Sequence, residues 1–176
     1  YLYNSPDVWN KFADYKSCNI PVILFSCQNN GDSEYASVIT LMTPMDFSSL
    51  SKWEDSKVGQ RPAEYIEFKE RYTNAMIEFV SKYFHGLKSC IQYIYSTTPL
   101  SYKDYNSMPQ GSAYGIIKDF NNPMITHLSP RTKINNLYLT GQNLNVHGCL
   151  GTTVSAAVTC SEIIGKEYLA KKIGNE

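Results

Sequence analysis

The chain changes its hydrophobic period several times, and each change marks an element. Pro21-Val22-Ile23-Leu24-Phe25-Ser26-Cys27 is a short apolar run that reads as a buried strand. Tyr35 to Thr43 reads as a second strand, and Asn29-Asn30-Gly31-Asp32 between them is a hairpin turn signal. The period then lengthens. Tyr65, Phe68, Tyr72, Ala75 or Met76, Phe79 and Tyr83 recur at three- and four-residue spacing, while Glu64, Glu67, Glu70, Arg71, Glu78 and Lys82 lie largely off that stripe. This predicts a helix over 62–84, with Arg61-Pro62 at its first turn and Gly86 at its end. An aromatic stripe at this period belongs to a core more often than to a cofactor box. Leu87 to Thr98, around Cys90-Ile91-Gln92-Tyr93-Ile94-Tyr95, reads as a third strand broken by Thr98-Pro99. The expected arrangement is α+β: strands 21–28, 35–43 and 88–97 in one largely antiparallel sheet, with helix 62–84 on one face. Residues 1–19 have no stable period and read as a helical turn or two. Phe47 to Gly59 reads as a polar loop or short helix around Trp53, and 99–125 reads as loop.

Charge and composition remove several functions. Lys+Arg and Asp+Glu are balanced at 16 each with no basic stripe, which argues against nucleic acid as a partner. No run of about eighteen apolar residues exists, so no transmembrane helix is expected. Cys18, Cys27, Cys90, Cys149 and Cys160 are an odd, scattered set without Cys-x-x-Cys, which fits a reduced, cytoplasmic compartment better than a disulfide scaffold. The histidines His85, His127 and His147 are far apart, and no metal site is expected. No Ser-His-Asp or Cys-His constellation can be located, so no catalytic residue is assigned.

The chemistry concentrates near the C-terminal end. Asn136-Leu137-Tyr138-Leu139-Thr140-Gly141 reads as a short strand ending in glycine, and Gln142-Asn143-Leu144-Asn145-Val146-His147 as a loop. Gly148-Cys149-Leu150-Gly151-Thr152-Thr153 then opens a helix of small residues reaching about Ile164. Bare backbone N–H groups at a helix N-terminus favour partial negative charge, and glycines let backbone approach a phosphate or an electron-poor ring. The alternative is that Gly141, Gly148 and Gly151 only end a strand and cap a helix. Cys149 reads as a small buried apolar residue rather than a reactive thiol.

Residues 126–165, including the approach Ser129-Pro130-Arg131-Thr132-Lys133-Ile134-Asn135-Asn136, resemble the C-terminal flavin-binding motif of the phytoene desaturase, carotenoid isomerase and retinol saturase group of FAD-dependent oxidoreductases. The resemblance implies a fragment of a two-domain FAD/NAD(P)-binding flavoprotein. Residues 1–125 would be part of its substrate-binding domain, and 126–176 the last strand and helix of its FAD-binding domain. No Gly-x-Gly-x-x-Gly occurs in the chain, and Gly111-Ser112-Ala113-Tyr114-Gly115 lacks that spacing. The N-terminal nucleotide-binding portion is therefore expected to lie elsewhere, and the chain alone is expected neither to retain FAD nor to be active.

In that group, Gly141 would pass close to the pyrophosphate and ribityl of FAD. Gln142 stands where many related enzymes carry an acid, and Asn143 follows it. Gly148, Leu150, Gly151 and Thr152 would present the helix N-terminus to the flavin pyrimidine edge. His147 would lie near the flavin or the substrate cavity, although a lone loop histidine is more often structural. Tyr102 and Tyr114 are candidates to line an apolar substrate tunnel, against ordinary packing. The implied activity is desaturation or saturation of carbon–carbon double bonds in a carotenoid, retinoid or other isoprenoid-like substrate, by hydride transfer to or from FAD with NAD(P) a potential electron partner. A redox-neutral polyene isomerase using reduced FAD is the alternative, and a non-catalytic interaction domain is another. Peripheral membrane contact would serve access of such a substrate. Strand 137–139 and helix 150–164 would have apolar surface to shelter, so the fragment is expected to self-associate or to repack residues 126–176.

Overall fold

The computed structural model describes residues 1–3, 18, 20–31 and 33–174. The chain divides into two units, Tyr1–Gly111 and Ser112–Glu176. The helical turns expected in 1–19 fall mostly outside the described residues.

The first unit is α+β, built on a three-stranded antiparallel sheet. Strand β2 (Val22–Gln28) is central, between β1 (Leu2–Tyr3) and β3 (Val38–Met42). The hairpin reading holds: Leu24 pairs with Met42 and Gln28 with Val38. Its connection is longer than an Asn-Gly turn, however. The Asn29 side chain donates to the Ser33 carbonyl at 2.8 Å, and the Ser33 hydroxyl donates to that of Tyr35 at 3.1 Å. Such local bonds compete with ladder pairing, and they shorten the strand expected over 35–43. Ile23 is fully buried and Phe25 half-buried on one face of β2, while Leu24 and Ser26 on the other are exposed.

Helix α1 (Ala63–Ser81) carries the core. Tyr65, Phe68, Tyr72 and Phe79 are buried with Ile20, Ile23, Leu50, Trp53, Val80 and Leu100 in one cluster. The Trp53 ring meets Tyr65 edge-on at 5.6 Å and Phe68 at 5.2 Å. Trp53 closes the 3₁₀ helix Phe47–Trp53, which Asp46 caps by accepting the Ser48 N–H at 3.0 Å. Tyr83 departs from the predicted stripe. The helix ends at Ser81, leaving Tyr83 half-exposed with its hydroxyl donating to the Tyr3 carbonyl at 3.3 Å.

The third strand expected over 88–97 does not form. Leu87–Cys90 is a short helix, α2, entered from Gly86 at φ +85°, and the following residues pair with no strand. The sheet is instead β1-β2-β3, with β1 beside Val22 and Ile23 and β3 beside Leu24–Gln28. The segment is tethered instead by side chains of α1: Lys69 Nζ donates to the Ser96 carbonyl at 3.2 Å, and the Tyr65 and Thr98 hydroxyls share a buried bond of 2.8 Å. Its Tyr93 and Tyr95 are exposed. β-propensity alone makes no strand where side chains hold the segment in another place. Residues 99–106, expected as loop, form helix α3 (Pro99–Asn106). Proline at its first position and Ser101 accepting from the Thr98 N–H explain the start. The Arg61–Asp104 and Lys103–Glu54 pairs bind α3 to its surroundings.

The second unit holds α4 (Gly148–Ile164) and α5 (Lys166–Ile173), separated by Gly165, and the loops that precede them. The strand expected at 137–139 is reduced to one bridge between Arg131 and Tyr138. Among the described residues no other strand lies alongside to extend it. No described helix is long and apolar enough to cross a membrane.

Two substitutions test this core by urea unfolding. Leu50 is fully buried, so Leu50→Ala should destabilise by about 2–5 kcal/mol. Tyr65→Phe removes only the hydroxyl facing Thr98 and should cost about 1 kcal/mol. Equal losses for the two would contradict this account of the core.

Candidate functional site

The second unit assembles around the loop that leads into α4. Residues 130–139 fold back on themselves, with the Leu139 N–H donating to the Pro130 carbonyl at 2.8 Å and the Thr132 N–H to that of Leu137 at 3.3 Å. Asn136 turns the chain at φ +62°. The Arg131 guanidinium then reaches the far end of α4, donating to the Glu162 carboxylate at 3.1 Å and its carbonyl at 2.9 Å. A cation there complements the helix dipole.

The face that α4 buries is polar and small. Gly151, Ser155 and Thr159, one turn apart, are its buried residues. The Thr159 hydroxyl lies 2.8 Å from the Leu139 carbonyl. A Cβ on Gly151 would lie 2.5 Å from the Val146 carbonyl oxygen, so the loop and the helix touch through backbone. The helix's larger apolar residues point the other way. Leu150 is 77% exposed, and Val154, Val158 and Ile163 are exposed with it. Cys149 is exposed too, correcting its reading as a buried residue. It stands at the first turn, where only Gly151 faces the loop.

Gly141 and Gly148 have backbone conformations that L side chains rarely adopt, at φ +98° and +78°, and no atom within 4 Å of where a Cβ would stand. His147, the N-cap residue, makes no side-chain capping bond to the first turn. The first N–H groups of a seventeen-residue helix are thus flanked by bare glycine. This donor set fits an electron-rich edge or an oxyanion, and the space at both glycines admits one. Thr152 turns its hydroxyl back to the Gly148 and Cys149 carbonyls, each at 3.0 Å.

The loop itself is held from one side by residues 114–118. The Tyr114 ring lies 4.2 Å from that of His147. Lys118 Nζ donates to the Thr126 carbonyl at 3.0 Å and to that of buried Leu144. Gly115 packs against Gln142 and Asn143 so closely that a Cβ would stand 2.5 Å from the Gln142 carbonyl oxygen. Asn145 Nδ2 donates to the Leu128 carbonyl at 3.2 Å.

The residues singled out from the sequence thus fall into two groups. Gly141, Gln142, Asn143, His147, Gly148, Leu150, Gly151, Thr152 and Tyr114 all lie in the second unit, on or against one loop and one helix start. Tyr102 lies in the first unit, half-buried on α3. Among the described residues no group of three or more His, Cys, Asp or Glu is placed to hold a metal ion.

Comparison with known proteins bears on the chain as a whole. An all-trans-retinol 13,14-reductase of Danio rerio is 28% identical over 180 residues, covering 93% of this chain and 30% of that protein. The all-trans-retinol 13,14-reductase of Homo sapiens is 26% identical, covering 99% of this chain and 31% of that protein. The chain is homologous to these reductases. It spans about three-tenths of their length. An inactive all-trans-retinol 13,14-reductase of Danio rerio also matches, at 25% identity over 72% of this chain and 21% of that protein. No protein-family model matches, and no solved structure matches significantly. The resemblance drawn from residues 126–165, to a group that includes retinol saturase, is in keeping with these relatives.

Gly115 and Lys118 escaped the sequence reading. Gly115 lies in a segment without nucleotide-binding spacing, and no periodicity marks a residue whose partner is the Gln142 backbone, 27 positions away.

Replacing Gly151 by alanine tests the backbone contact beneath the loop. The added methyl would meet the Val146 backbone rather than a flexible side-chain end, so Gly151→Ala should destabilise by about 1–3 kcal/mol. The exposed Lys133→Ala should stay within about 0.5 kcal/mol. Thermal melting of both variants checks the contrast, and a neutral Gly151→Ala would mean the loop does not rest on α4.

Proposed function

We propose that this chain is the C-terminal part of a longer FAD-dependent oxidoreductase that reduces a carbon–carbon double bond in a retinoid or related conjugated isoprenoid. The observation that carries the reading is the pair of open glycines, Gly141 and Gly148, flanking the uncapped start of α4. It is supported by homology to proteins named all-trans-retinol 13,14-reductase. In this reading the second unit contributes to an FAD site and the first to a substrate-binding portion. The outward apolar residues of α4 and the exposed Leu137 and Leu139 would be sheltered by the remainder of such a protein.

When bound, the flavin would supply hydride chemistry at its N5. The residues of this chain would serve it by position and field. Gly141 would let the backbone pass beside the phosphate and ribityl region, where the neighbouring Gln142 and Asn143 offer amides that donate or accept. The N–H groups of Gly148, Cys149 and Leu150 would face the ring edge on which negative charge grows during reduction, stabilising it without a proton transfer. Tyr114, 53% exposed beside His147, would border the space in which an apolar polyene lies, and Tyr102 is the corresponding candidate in the first unit. NAD(P) would be an electron partner, and contact with a membrane surface would serve delivery of so apolar a substrate.

A second reading rests on the matched relative that is named inactive: the same fold binding a ligand without turnover. Purified full-length polypeptide containing this chain separates the two. The expected result is two visible-range flavin absorption bands, and conversion of all-trans-retinol under reducing conditions to a product carrying two more hydrogens. Flavin without turnover would favour the second reading, and absence of both would overturn the proposal. Gly148→Val fills the open space at the first turn and should weaken flavin binding by roughly tenfold or more, the consequence of losing about 1.4 kcal/mol of interaction.

A further inference from the structure

The loop that enters α4 is held by residues remote from it in sequence, and one of them has no side chain. Ser112–Lys118 has no regular secondary structure, yet it meets the loop at three separate points. Gly115 abuts the backbone of Gln142 and Asn143, with 2.5 Å, 2.8 Å and 2.9 Å separating a notional Cβ from the Gln142 carbonyl oxygen, Asn143 Oδ1 and Asn143 Cα. Tyr114 lies against the His147 imidazole at 4.2 Å, with the rings tilted by 42°. Lys118 reaches over to the Leu144 carbonyl while also bonding that of Thr126. The contacts fall near the start, the middle and the end of Gly141–His147. Within the loop the Leu144 N–H donates to the Gly141 carbonyl at 3.3 Å. A seven-residue loop outside any helix or strand takes much of its shape from what it leans on.

We propose that Gly115 is a positioning residue for the loop Gly141–His147, its missing side chain allowing Tyr114 and Lys118 to close on His147 and Leu144 as a clamp. The approach is too tight for any other residue. Asn143 Oδ1 can swing aside, but the Gln142 carbonyl oxygen and Asn143 Cα are backbone, so even a methyl group at 115 must push the loop away. Lys118 acts at a distance from Gly115, on the buried residue of the loop, and gives an independent handle on the same geometry. The functional consequence rests on the flavin reading above: the clamp fixes where the Gly141 and Gly148 backbone stands when a cofactor arrives.

The test uses the full-length polypeptide containing this chain, with Gly115→Ala, Lys118→Met and, as a control, Ile117→Ser. Ile117 lies between the two and is 88% exposed. The first readout is the carbon–proton NMR correlation of the histidine rings, with His147 assigned through His147→Gln. The Tyr114 ring current displaces the His147 ring protons, and Gly115→Ala and Lys118→Met should each move these resonances although neither changes an aromatic ring. Ile117→Ser should leave them in place. The second readout is flavin affinity, which should fall roughly tenfold, as a loss of about 1.4 kcal/mol requires, in both clamp variants and not in the control. Unmoved His147 resonances in both variants would overturn the proposal. Moved resonances with flavin affinity intact would overturn the positioning role. If the unsubstituted protein binds no flavin while the resonances still move, the clamp stands and the flavin reading falls. Should Gly115→Ala fail to fold, Lys118→Met decides alone.

Discussion

The second unit depends on two places where a methyl group does not fit. At Gly151 the start of α4 rests on the Val146 carbonyl, and at Gly115 a distant segment rests on Gln142 and Asn143. At both the nearest atoms are backbone, so they set the loop's path more tightly than interdigitating side chains alone would, since side chains can exchange rotamers. The loop is touched at both, near its start by Gly115 and near its end by Gly151. Gly141 and Gly148 are glycines for the opposite reason. No atom crowds them, and their need is a left-handed backbone that L residues adopt only at a penalty. Two glycines therefore fix the loop, and two expose it.

Helix α4 reverses the usual placement of polar and apolar residues. A helix in a self-contained unit buries its large apolar side chains, which contribute roughly 1.5–3 kcal/mol each. Here Gly151, Ser155 and Thr159 are inside, while Leu150, Val154 and Val158 stand outside. The polar face has its own logic, because Thr159 satisfies the Leu139 carbonyl and Gly151 permits the close approach to Val146. Neither bond requires the opposite face to be wet. The small residues serve a contact within the unit, which leaves the apolar face without an internal role.

The legibility of this fold from its sequence follows the range of the forces involved. The hairpin and the α1 stripe were readable because period and turn chemistry are local, and Tyr65, Phe68, Tyr72 and Phe79 all turned inward. The strand expected over 88–97 is absent because β-propensity says nothing about long-range tethers, and Lys69 and Tyr65 of α1 hold Ser96 and Thr98. Helix α3 has local signals that are ambiguous: a proline breaks a strand and equally opens a helix, here with Ser101 behind it. In the site, glycines at a helix start could be read, since they carry a pattern. Gly115 could not, because its significance lies wholly in the backbone opposite it.

The magnitudes also say what the loop cannot do by itself. An uncapped helix start favours negative charge by about 0.3–1 kcal/mol when exposed and by up to about 2 kcal/mol when partly buried. At about 1.4 kcal/mol for each tenfold in affinity, that is a one- to thirtyfold effect at most, far short of holding a large cofactor. What such a field does well is discriminate. It acts little on a neutral ring and more on one acquiring charge, and the difference is delivered without any group having to move. For that it must stand at a fixed distance from the charge, because the effect falls away within the first turn. A loop held by bare backbone at Gly115 and Gly151 meets this requirement, whereas a loop anchored through long exposed side chains would not.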